Sequence, residues 1–209
     1  MLNNNVTEKK TKDNIVELHI KDPGFSVTEA FNTLRTNIMF SGENIKTVMV
    51  TSTNPAEGKS FVAMQLAKSF ADINKKVVYI DCDLRKSVTL SRYKIRGKRV
   101  GLTEYITGQK SQLIYETNIP NLAVILSGHV VPNPIELMES KKFDDLLSVL
   151  RERFDYVIID SPPVGSVVDA CVIAPKVDGT VMVVRSDAVG RSHAIQAKKQ
   201  LEKSKGRIL

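Results

Sequence analysis

Short apolar runs alternate along this chain with longer segments in which apolar residues recur at helical spacing. The runs are continuously apolar, which is typical of strands buried on both faces in a parallel sheet. They lie at 47–52, 77–80, 122–126, 156–160 and 180–185. Segments with helical spacing separate them, at 59–73, 101–108, 135–153, 167–174 and 190–205. This alternation predicts an α/β fold with a mostly parallel sheet and helices on both of its faces.

The two ends of the chain differ from this central pattern. Residues 1–22 are polar, rich in Asn and Lys, and show no sustained periodicity. They predict a flexible N-terminal arm, followed by a single domain over residues 23–209. Because the chain stops at Leu209 within a new apolar run, we expect this domain to be truncated at its C-terminus.

A helix is predicted to open the domain, starting at Ser26. Ser26 is a suitable capping residue, and Glu29 follows three residues later, as in a capping box. Phe31, Leu34 and Ile38 recur at helical spacing, so we expect them to form the buried face of this helix.

Composition narrows the class of protein and its compartment. Hydrophobic residues make up 42% of the chain, but no apolar run approaches the roughly 20 residues that a membrane span needs. The polar N-terminus lacks the apolar core of a signal peptide. Two cysteines, Cys82 and Cys171, are too few for a disulfide framework. We therefore expect a soluble protein of the reducing cytoplasm.

Positive charge is concentrated in one segment. The net charge is +7, and the stretch from Arg85 to Arg99 holds seven Lys or Arg residues and no acid. It predicts either a solvated, mobile loop or a surface that faces anions, such as acidic tails, lipid headgroups or nucleic acid. Because the chain shows no nucleic-acid-binding module, we expect no nucleic-acid partner.

The first apolar run leads into a phosphate-binding pattern. It ends in a turn-forming segment, then Gly58-Lys59-Ser60, then a helical segment. In a P-loop, backbone N–H groups wrap the phosphates, a Lys reaches the outer ones and a hydroxyl holds Mg²⁺. The match is incomplete, because Thr53 stands where the full pattern has its leading Gly. The alternative is an ordinary strand-to-helix turn with a surface Lys. The predicted ATP-binding residues are Asn54, Pro55, Ala56, Glu57, Gly58, Lys59, Ser60 and Phe61.

Carboxylates follow two other apolar runs. Asp160 ends one run, as in a Walker B motif, and Asp81 and Asp83 follow the run 77–80. Because parallel strands present their carboxyl ends at one edge, we expect all three near Lys59, in a P-loop NTPase-like fold. Residues two apart on a strand point the same way, so both Asp81 and Asp83 could face the phosphates, one fixing metal and the other accepting a proton. Alternatively, Asp83 pairs with Arg85 or caps the next segment.

With these motifs, the chain resembles the bacterial protein-tyrosine kinases, a Walker-motif family tied to capsule and exopolysaccharide synthesis. It is similar to the cytoplasmic form, in which the transmembrane activator is a separate protein. The resemblance runs from about Ser26 to Leu209, and the Asp-x-Asp-x-Arg sequence is its most discriminating part. The segments that carry it are 29–40, 58–60, 77–85, 132–137 and 158–163.

The resemblance implies an activity and a role for each motif residue. The activity is ATP- and Mg²⁺-dependent autophosphorylation on tyrosine, in trans, within a ring-shaped oligomer. Lys59 would bind phosphates and Ser60 would bind Mg²⁺. Asp81 would be the base for the tyrosine hydroxyl, and Asp83 and Asp160 would serve the metal.

The resemblance also implies partners. These are a transmembrane activator, whose cytoplasmic segment recruits the kinase to the inner face of the membrane, a cognate phosphotyrosine phosphatase, and protein substrates. Glu29 and Arg35 match the family's oligomer motif, but Asn32 replaces its first Arg. The family's Tyr-rich tail has no counterpart, because the five tyrosines are scattered. Residues that close over the adenine are expected beyond Leu209.

Two other functions share these motifs. One is a non-kinase ATPase switch, like the relatives that position division sites or partition plasmids. Such relatives usually carry an extra Lys near Asn54 or Pro55, which this chain lacks. The other is a non-catalytic, nucleotide-dependent scaffold for polysaccharide machinery.

Overall fold

A seven-stranded sheet forms the centre of the protein, in a computed structural model that describes residues 14–97, 100–110 and 112–209. The strands are β1 (Ile15–Val16), β2 (Thr47–Ser52), β3 (Val77–Asp81), β4 (Tyr115–Thr117), β5 (Leu122–Ile125), β6 (Tyr156–Asp160) and β7 (Gly179–Val183). Their order across the sheet is β1-β4-β5-β3-β6-β2-β7. Neighbouring strands are parallel except for β4 and β5, which are antiparallel. The predicted mostly parallel sheet is confirmed.

Helices connect most of the strands. They are α1 (Phe25–Phe40), α2 (Lys59–Ala71), α3 (Thr89–Arg92), α4 (Leu102–Ile106), α5 (Pro134–Glu139), α6 (Lys141–Arg153), α7 (Asp169–Ile173) and α8 (Arg191–Lys203), with a 3₁₀ turn at Ala174–Lys176. The helix break predicted near Ser140 is confirmed, since the Ser140 hydroxyl caps α6 by accepting from Phe143 N. Among the described residues, none of the helices has both the length and the apolar composition of a membrane span.

Alternate strand residues pack on opposite faces of the sheet, so the protein has two cores. Val48 and Val50 of β2 pack against α1 and α2 on one face. Met49, between them, belongs to the other core, which α4 to α8 cover. Helices therefore lie on both faces, as predicted, and the continuously apolar strands are explained by burial on both sides.

Strand register places the functional candidates at one edge. In the β3–β6 pair Asp81 is the partner of Asp160, and in the β2–β6 pair Asp160 is the partner of Val50. Strands β3 and β6 therefore end at the same level, and β2 continues past them to Ser52 at the same edge. The loop that follows β2 starts at the same edge that carries the carboxylates.

The predicted N-terminal arm is wrong for its second half. Ile15–Val16 pairs with β4, and Val16 and Leu18 are buried. Leu18 N donates to the Asn118 side chain (2.8 Å), whose Nδ2 donates back to Leu18 O (3.2 Å). Strands this short carry no readable periodicity, and their pairing spans about a hundred residues. Residues 1–13, the rest of the predicted arm, lie outside the described part.

The predicted start of the first helix is also wrong in detail. α1 begins at Phe25, with Gly24 at the N-cap and no side-chain cap from Ser26. Gly24 adopts a φ of 83°, which favours glycine, and its N–H donates to Asp22 Oδ1 (2.8 Å). The turn therefore ends in a glycine cap, which the capping-box pattern does not anticipate. Phe31 and Ile38 are buried and Leu34 is half-buried, as expected of the apolar face.

The basic segment from Arg85 to Arg99 is not a loop throughout. It contains α3, and Tyr93 directly after that helix is buried. Residues 98 and 99 lie outside the described part. A solvated loop is therefore a wrong description of Thr89 and Tyr93, which are buried, although Leu90, Ser91 and Arg92 between them are exposed.

Asp178 joins three elements at the amino-terminal edge of the sheet. Its carboxylate accepts from Lys46 N (2.9 Å), Thr47 N (2.7 Å) and Thr47 Oγ1 (2.8 Å), and from Arg151 of α6. Burial alone would raise the pKa of Asp178, but the donated hydrogen bonds outweigh burial and lower it.

We predict that Asp178→Asn lowers the free energy of unfolding by about 1–3 kcal/mol at pH 7, because donors in β2 and α6 lose a charged acceptor. A lowered native pKa stabilises the fold above the unfolded pKa of about 3.9. The deficit of the variant should shrink as pH falls below about 4, through the native pKa. Urea denaturation of the variant and the wild type at pH 7 and at pH 3 measures this difference in the free energy of unfolding. Asp145→Asn is the control, since exposed Asp145 pairs with Lys141 within α6 itself. Equal stability of the two variants at pH 7 would contradict the prediction.

Candidate active site

The loop between β2 and α2 has the backbone of a phosphate-binding loop. Ala56 (φ 64°) and Gly58 (φ 97°) both adopt left-handed conformations. Gly58 caps α2 in a left-handed conformation that suits glycine. Ala56 adopts its left-handed conformation at an energetic cost. Two hydrogen bonds brace the loop, from the Ser52 hydroxyl to Asn54 O (2.8 Å) and from Asn54 N to Glu57 Oε2 (3.0 Å).

This conformation points a series of N–H groups away from the protein's own acceptors. In the described part of the chain, no acceptor takes a hydrogen bond from the backbone N–H groups of residues 56–61. These groups coincide with most of the predicted ATP-binding residues, 54–61, and with the N-terminus of α2. Successive free N–H groups at a helix N-terminus form a site for a phosphate-sized anion.

Thr53, in place of the leading Gly, supports the loop from below. It is buried, and its carbonyl accepts from Gly165 N (3.1 Å), while Ser52 O accepts from Val164 N (2.9 Å). A Cβ at Gly165 would lie only 2.3 Å from Thr53 O. The segment after β6 therefore packs directly on the P-loop backbone, and Gly165 permits that approach.

Lys59 lies among carboxylates and is itself buried. Its Nζ contacts Asp83 Oδ2 (3.0 Å), Asp160 Oδ1 (3.3 Å) and the Ser60 hydroxyl (3.3 Å). Burial lowers the pKa of Lys59, but the charges of Asp160 and Asp83 outweigh burial and raise it. Lys59 therefore stays an ammonium, which balances part of the negative charge.

Asp81 lies beside Asp160 of this cluster, on the neighbouring strand β3. Asp160 Oδ2 accepts from the Tyr79 hydroxyl (3.0 Å), and Asp81 accepts from the Ser87 hydroxyl. Burial and the charge of Asp160 raise the pKa of Asp81 to about 7, against the opposing effect of the Ser87 hydrogen bond. Burial also raises the pKa of Asp160, although the Lys59 ammonium opposes the rise. Asp81 is thus poised to gain or lose a proton near neutral pH.

The side chains still alternate beyond the end of β3, because Ile80, Cys82 and Leu84 all belong to the core that contains Met49. Asp81 and Asp83 therefore lie on the other side together, as predicted, but they have different partners. Asp83 reaches Lys59, whereas Asp81 accepts from Asp83 N (3.1 Å) and Ser87. Of the two alternatives for Asp83, the cap is present, because Lys86 N donates to its Oδ1 (3.0 Å).

The pairing of Asp83 with Arg85 is absent. Arg85 Nε donates instead to Asp169 at the start of α7 (3.0 and 3.3 Å to the two oxygens). Asp169 is buried and lies 84 residues along the chain, so the sequence around Arg85 gives no sign of it. This ion pair fastens the segment after β3 to the segment after β6.

Besides Tyr79, three hydroxyl residues of the site were not predicted. Ser87 donates to Asp81, Thr89 shares a hydrogen bond with Tyr79 (3.1 Å), and the Tyr93 hydroxyl donates to Ser60 O (3.2 Å). They fall in the basic segment from Arg85 to Arg99, in which Lys and Arg residues are the evident feature and the hydroxyl residues form no recognisable motif. Their spacing around α3, directly after Asp-x-Asp-x-Arg, is the only local signal.

The predicted oligomer residues lie on α1 and are bonded within the chain. Asn32 connects them, donating to Glu29 Oε1 (2.9 Å) and accepting from Arg35 Nη1 (3.0 Å). Arg35 also donates to Ser69 O of α2 (2.7 Å). Asn32, at the position of the first Arg of the family motif, thus connects Glu29 and Arg35 by hydrogen bonds. Glu29 remains exposed.

The donor set fits Mg²⁺ and a phosphorylated nucleotide. Oxygens of Ser60, Asp83 and Asp160 converge on the Lys59 ammonium, and hard oxygens are the ligands that Mg²⁺ prefers. The described residues contain no group of three or more His, Cys, Asp or Glu side chains suited to a metal. A hydroxyl, two carboxylates and added phosphate or water oxygens therefore fit better than an all-carboxylate cage.

Comparison with known proteins agrees with this geometry. The AAA domain family profile matches residues 45–196. Tyrosine-protein kinase CpsD of Streptococcus pneumoniae serotype 4 is 43% identical over 178 residues, covering 84% of this chain and 78% of that protein. The kinase domain of Escherichia coli tyrosine kinase ETK has a TM-score of 0.84 at 30% identity, covering 89% of this chain and 74% of that chain. The chain belongs to the bacterial tyrosine-protein kinase family.

Family membership favours the kinase over the ATPase switch and confirms the P-loop NTPase-like fold. A further neighbour, the chimerical protein CapA2B2, has a TM-score of 0.84 at 27% identity and covers 98% of this chain and 97% of that chain. The individual roles of the site residues in this kinase stay predictions.

Replacing Gly165 tests the support beneath the P-loop of this kinase. We predict that Gly165→Ala lowers the free energy of unfolding by about 1–3 kcal/mol, because the added methyl displaces Thr53. ATP affinity should fall with it, since the displaced backbone leads into the anion-binding N–H groups. Thermal unfolding and ATP titration measure the two effects. Ser166→Ala, in the same loop with an exposed side chain, is the control. Unchanged ATP affinity in Gly165→Ala would refute the prediction.

Proposed function

We propose that this protein transfers the γ-phosphoryl group of ATP to a protein tyrosine, with Mg²⁺ as cofactor. The observation that carries the proposal is the convergence of Lys59, Asp83 and Asp160, with Asp81 behind them, at the mouth of a P-loop. A P-loop NTPase needs only the phosphate-binding part of this arrangement. A buried carboxylate with a pKa near 7 adds a group that can take a proton from an attacking hydroxyl.

The nucleotide-binding part uses backbone and charge. The N–H groups of residues 56–61 and the Lys59 ammonium would hold the phosphates, and Ser60, Asp83 and Asp160 would hold Mg²⁺. Bound Mg²⁺ supplies neutralisation of the phosphate charge, the main source of acceleration in phosphoryl transfer. For Lys59 to reach the phosphates, its ammonium leaves the two carboxylates that it now contacts.

Asp81 is the proposed general base. A base works best with a pKa near the working pH, and such catalysis contributes roughly 10²–10⁴-fold. The hydrogen bonds from Ser87 and Asp83 N fix the orientation of the Asp81 carboxylate. The proton would pass from the tyrosine hydroxyl to Asp81 as the tyrosine oxygen bonds to phosphorus and the bond to ADP breaks.

The acceptor tyrosine is best supplied by another protein molecule. All five tyrosines lie in the described part, and Tyr79, Tyr93 and Tyr115 are buried. Tyr105 and Tyr156 are half-buried, and the Tyr156 ring stacks on Phe70 (3.8 Å between centroids). Phosphorylation of a separate protein substrate therefore fits the fold better than modification of these buried rings, in the same molecule or in a second copy.

We also propose the partners and the cellular role that the family resemblance implies. The first partner would be a transmembrane activator whose cytoplasmic segment recruits the kinase to the inner face of the membrane, and the similarity to the chimerical protein CapA2B2 is compatible with a kinase that works with a second polypeptide. A ring-shaped oligomer would use the exposed side of α1, where Glu29, Phe25 and Phe40 are exposed. A cognate phosphotyrosine phosphatase would reverse the modification, and the cycle would regulate capsule or exopolysaccharide synthesis.

Substitution of Asp81 separates the three functions. We predict that Asp81→Asn binds ATP·Mg²⁺ with unchanged or slightly higher affinity but loses about 10²-fold or more in tyrosine phosphorylation. Lys59→Met should lose ATP binding and transfer together. The assay combines the protein, ATP, Mg²⁺, the activator's cytoplasmic segment and a Tyr-Gly-Ser repeat peptide as acceptor, and detects phosphotyrosine.

Asp145→Asn, on the exposed side of α6, should transfer phosphate like the wild type. Phosphate release without any phosphotyrosine, with ATP binding intact, would instead indicate the ATPase switch. Full transfer by Asp81→Asn would remove Asp81 from the role of base, and absence of both transfer and phosphate release in the wild type would favour the scaffold.

A further inference from the structure

A basic groove lies beside the P-loop helix α2. Two short segments, 19–21 and 92–94, form its walls, and α2 forms its floor. The hollow has a volume of about 580 Å³. Its lining residues are His19, Ile20, Lys21, Phe61, Gln65, Arg92, Tyr93 and Lys94. We call this hollow the basic groove.

The charge of the basic groove has one sign. Lys21, Arg92 and Lys94 are exposed, and none of its lining residues is acidic. In the part of the chain that the structure describes, no carboxylate forms an ion pair with these three side chains. Three unpaired cations around a concave surface produce a positive potential that attracts an acidic ligand.

The neighbouring hollows carry acids as well as cations. On one side Arg96 extends the positive surface past His19, and Glu17 lies 3.9 Å from His19. On the other side Asp22 accepts from Gly24 N and Asp72 pairs with Lys68. The unpaired cations are therefore concentrated at the basic groove, which suits a short acidic ligand.

The interior of the basic groove is apolar. Ile20, Phe61 and Tyr93 supply its hydrophobic surface, and Phe61 packs edge-on against Phe31 (5.9 Å between centroids). A backbone hydrogen bond from His19 N to Tyr93 O (3.1 Å) joins the two walls, so the hollow is preformed. A concave apolar pocket with a cationic rim suits a large side chain flanked by acids. A lipid surface or a nucleic-acid backbone has no such side chain to insert.

The basic groove touches the active site through its floor. The Tyr93 hydroxyl donates to Ser60 O (3.2 Å), and Phe61 follows Ser60 in α2. Shortly before Tyr93 in the chain, Ser87 donates a hydrogen bond to Asp81 and Thr89 shares one with Tyr79. A peptide that displaces Tyr93 would thus act on the backbone of Ser60, which is a proposed Mg²⁺-binding residue.

We propose that the basic groove binds an acidic peptide segment that inserts an aromatic or large aliphatic side chain, and that Tyr93 transmits occupancy to Ser60. The binding itself does not depend on the proposed kinase activity. The transmission to Ser60 rests on the proposed nucleotide site and has its own readout.

Binding is tested without ATP, by fluorescence anisotropy of a labelled Glu₃-Phe-Glu₃ peptide, which cannot be phosphorylated. The wild type should bind it saturably, and replacing Phe by Gly in the peptide should weaken binding. Arg92→Glu with Lys94→Glu should weaken binding by about tenfold or more, since two favourable charge contacts become repulsive. Lys199→Glu with Lys203→Glu, on α8, is the charge-matched control and should bind like the wild type.

Equal affinity of the two double variants would overturn the proposal, as would failure of the wild type to bind the peptide. Wild-type binding to phosphatidylserine vesicles or to single-stranded DNA, with no binding of the peptide, would show a different anionic partner and also overturn it.

Tyr93→Phe tests the transmission separately. This variant keeps the ring in the basic groove and should bind the peptide normally. In the wild type, saturating peptide should change the Kd of ATP·Mg²⁺ by about twofold or more, and Tyr93→Phe should abolish that change. If the change persists in Tyr93→Phe, the hydroxyl is not the connection.

Discussion

The structure depends on how four ionisable groups are buried together at one edge of the sheet. Three carboxylates, Asp81, Asp83 and Asp160, and one ammonium, Lys59, share a space from which water is largely excluded. Buried charges are stable only when paired and hydrogen-bonded. One ammonium cannot balance three carboxylates, so the cluster favours an added cation or a protonated carboxyl. Both outcomes suit phosphoryl transfer, the first as a Mg²⁺ site and the second as a group with a pKa near 7.

The surrounding fold supports this cluster with neutral donors rather than with further charges. Hydroxyls of Tyr79 and Ser87 donate to two of the carboxylates, and Gly165 N supports the P-loop at Thr53. Parallel strands bring these groups together, because strands in register end at one level. The segment around α3 joins the site to the surface of the protein. It carries hydroxyls on its inner side and the cations Arg92 and Lys94 on its outer side.

Local sequence patterns predict the sheet, its helices and the motif residues, since each depends on neighbours in the chain. The apolar runs mark five of the seven strands, and the two missed strands, Ile15–Val16 and Tyr115–Thr117, are too short to show a period. Features that depend on distant partners escape such patterns. The ion-pairing role of Asp169 becomes evident only in the structure, where Arg85 lies beside it. The need for glycine at position 165 likewise becomes evident only where Thr53 packs against its Cα.

We propose that Asp83, Asp160 and Ser60 form a cation site, which opens when Lys59 turns to the phosphates. The most direct measurement is the Kd of ATP, with and without Mg²⁺, for the wild type and for Asp160→Asn. Mg²⁺ should tighten ATP binding to the wild type, and Asp160→Asn should lose most of that gain while binding Mg²⁺-free ATP at least as well. The same gain from Mg²⁺ in both proteins would show that Asp160 does not belong to such a cation site.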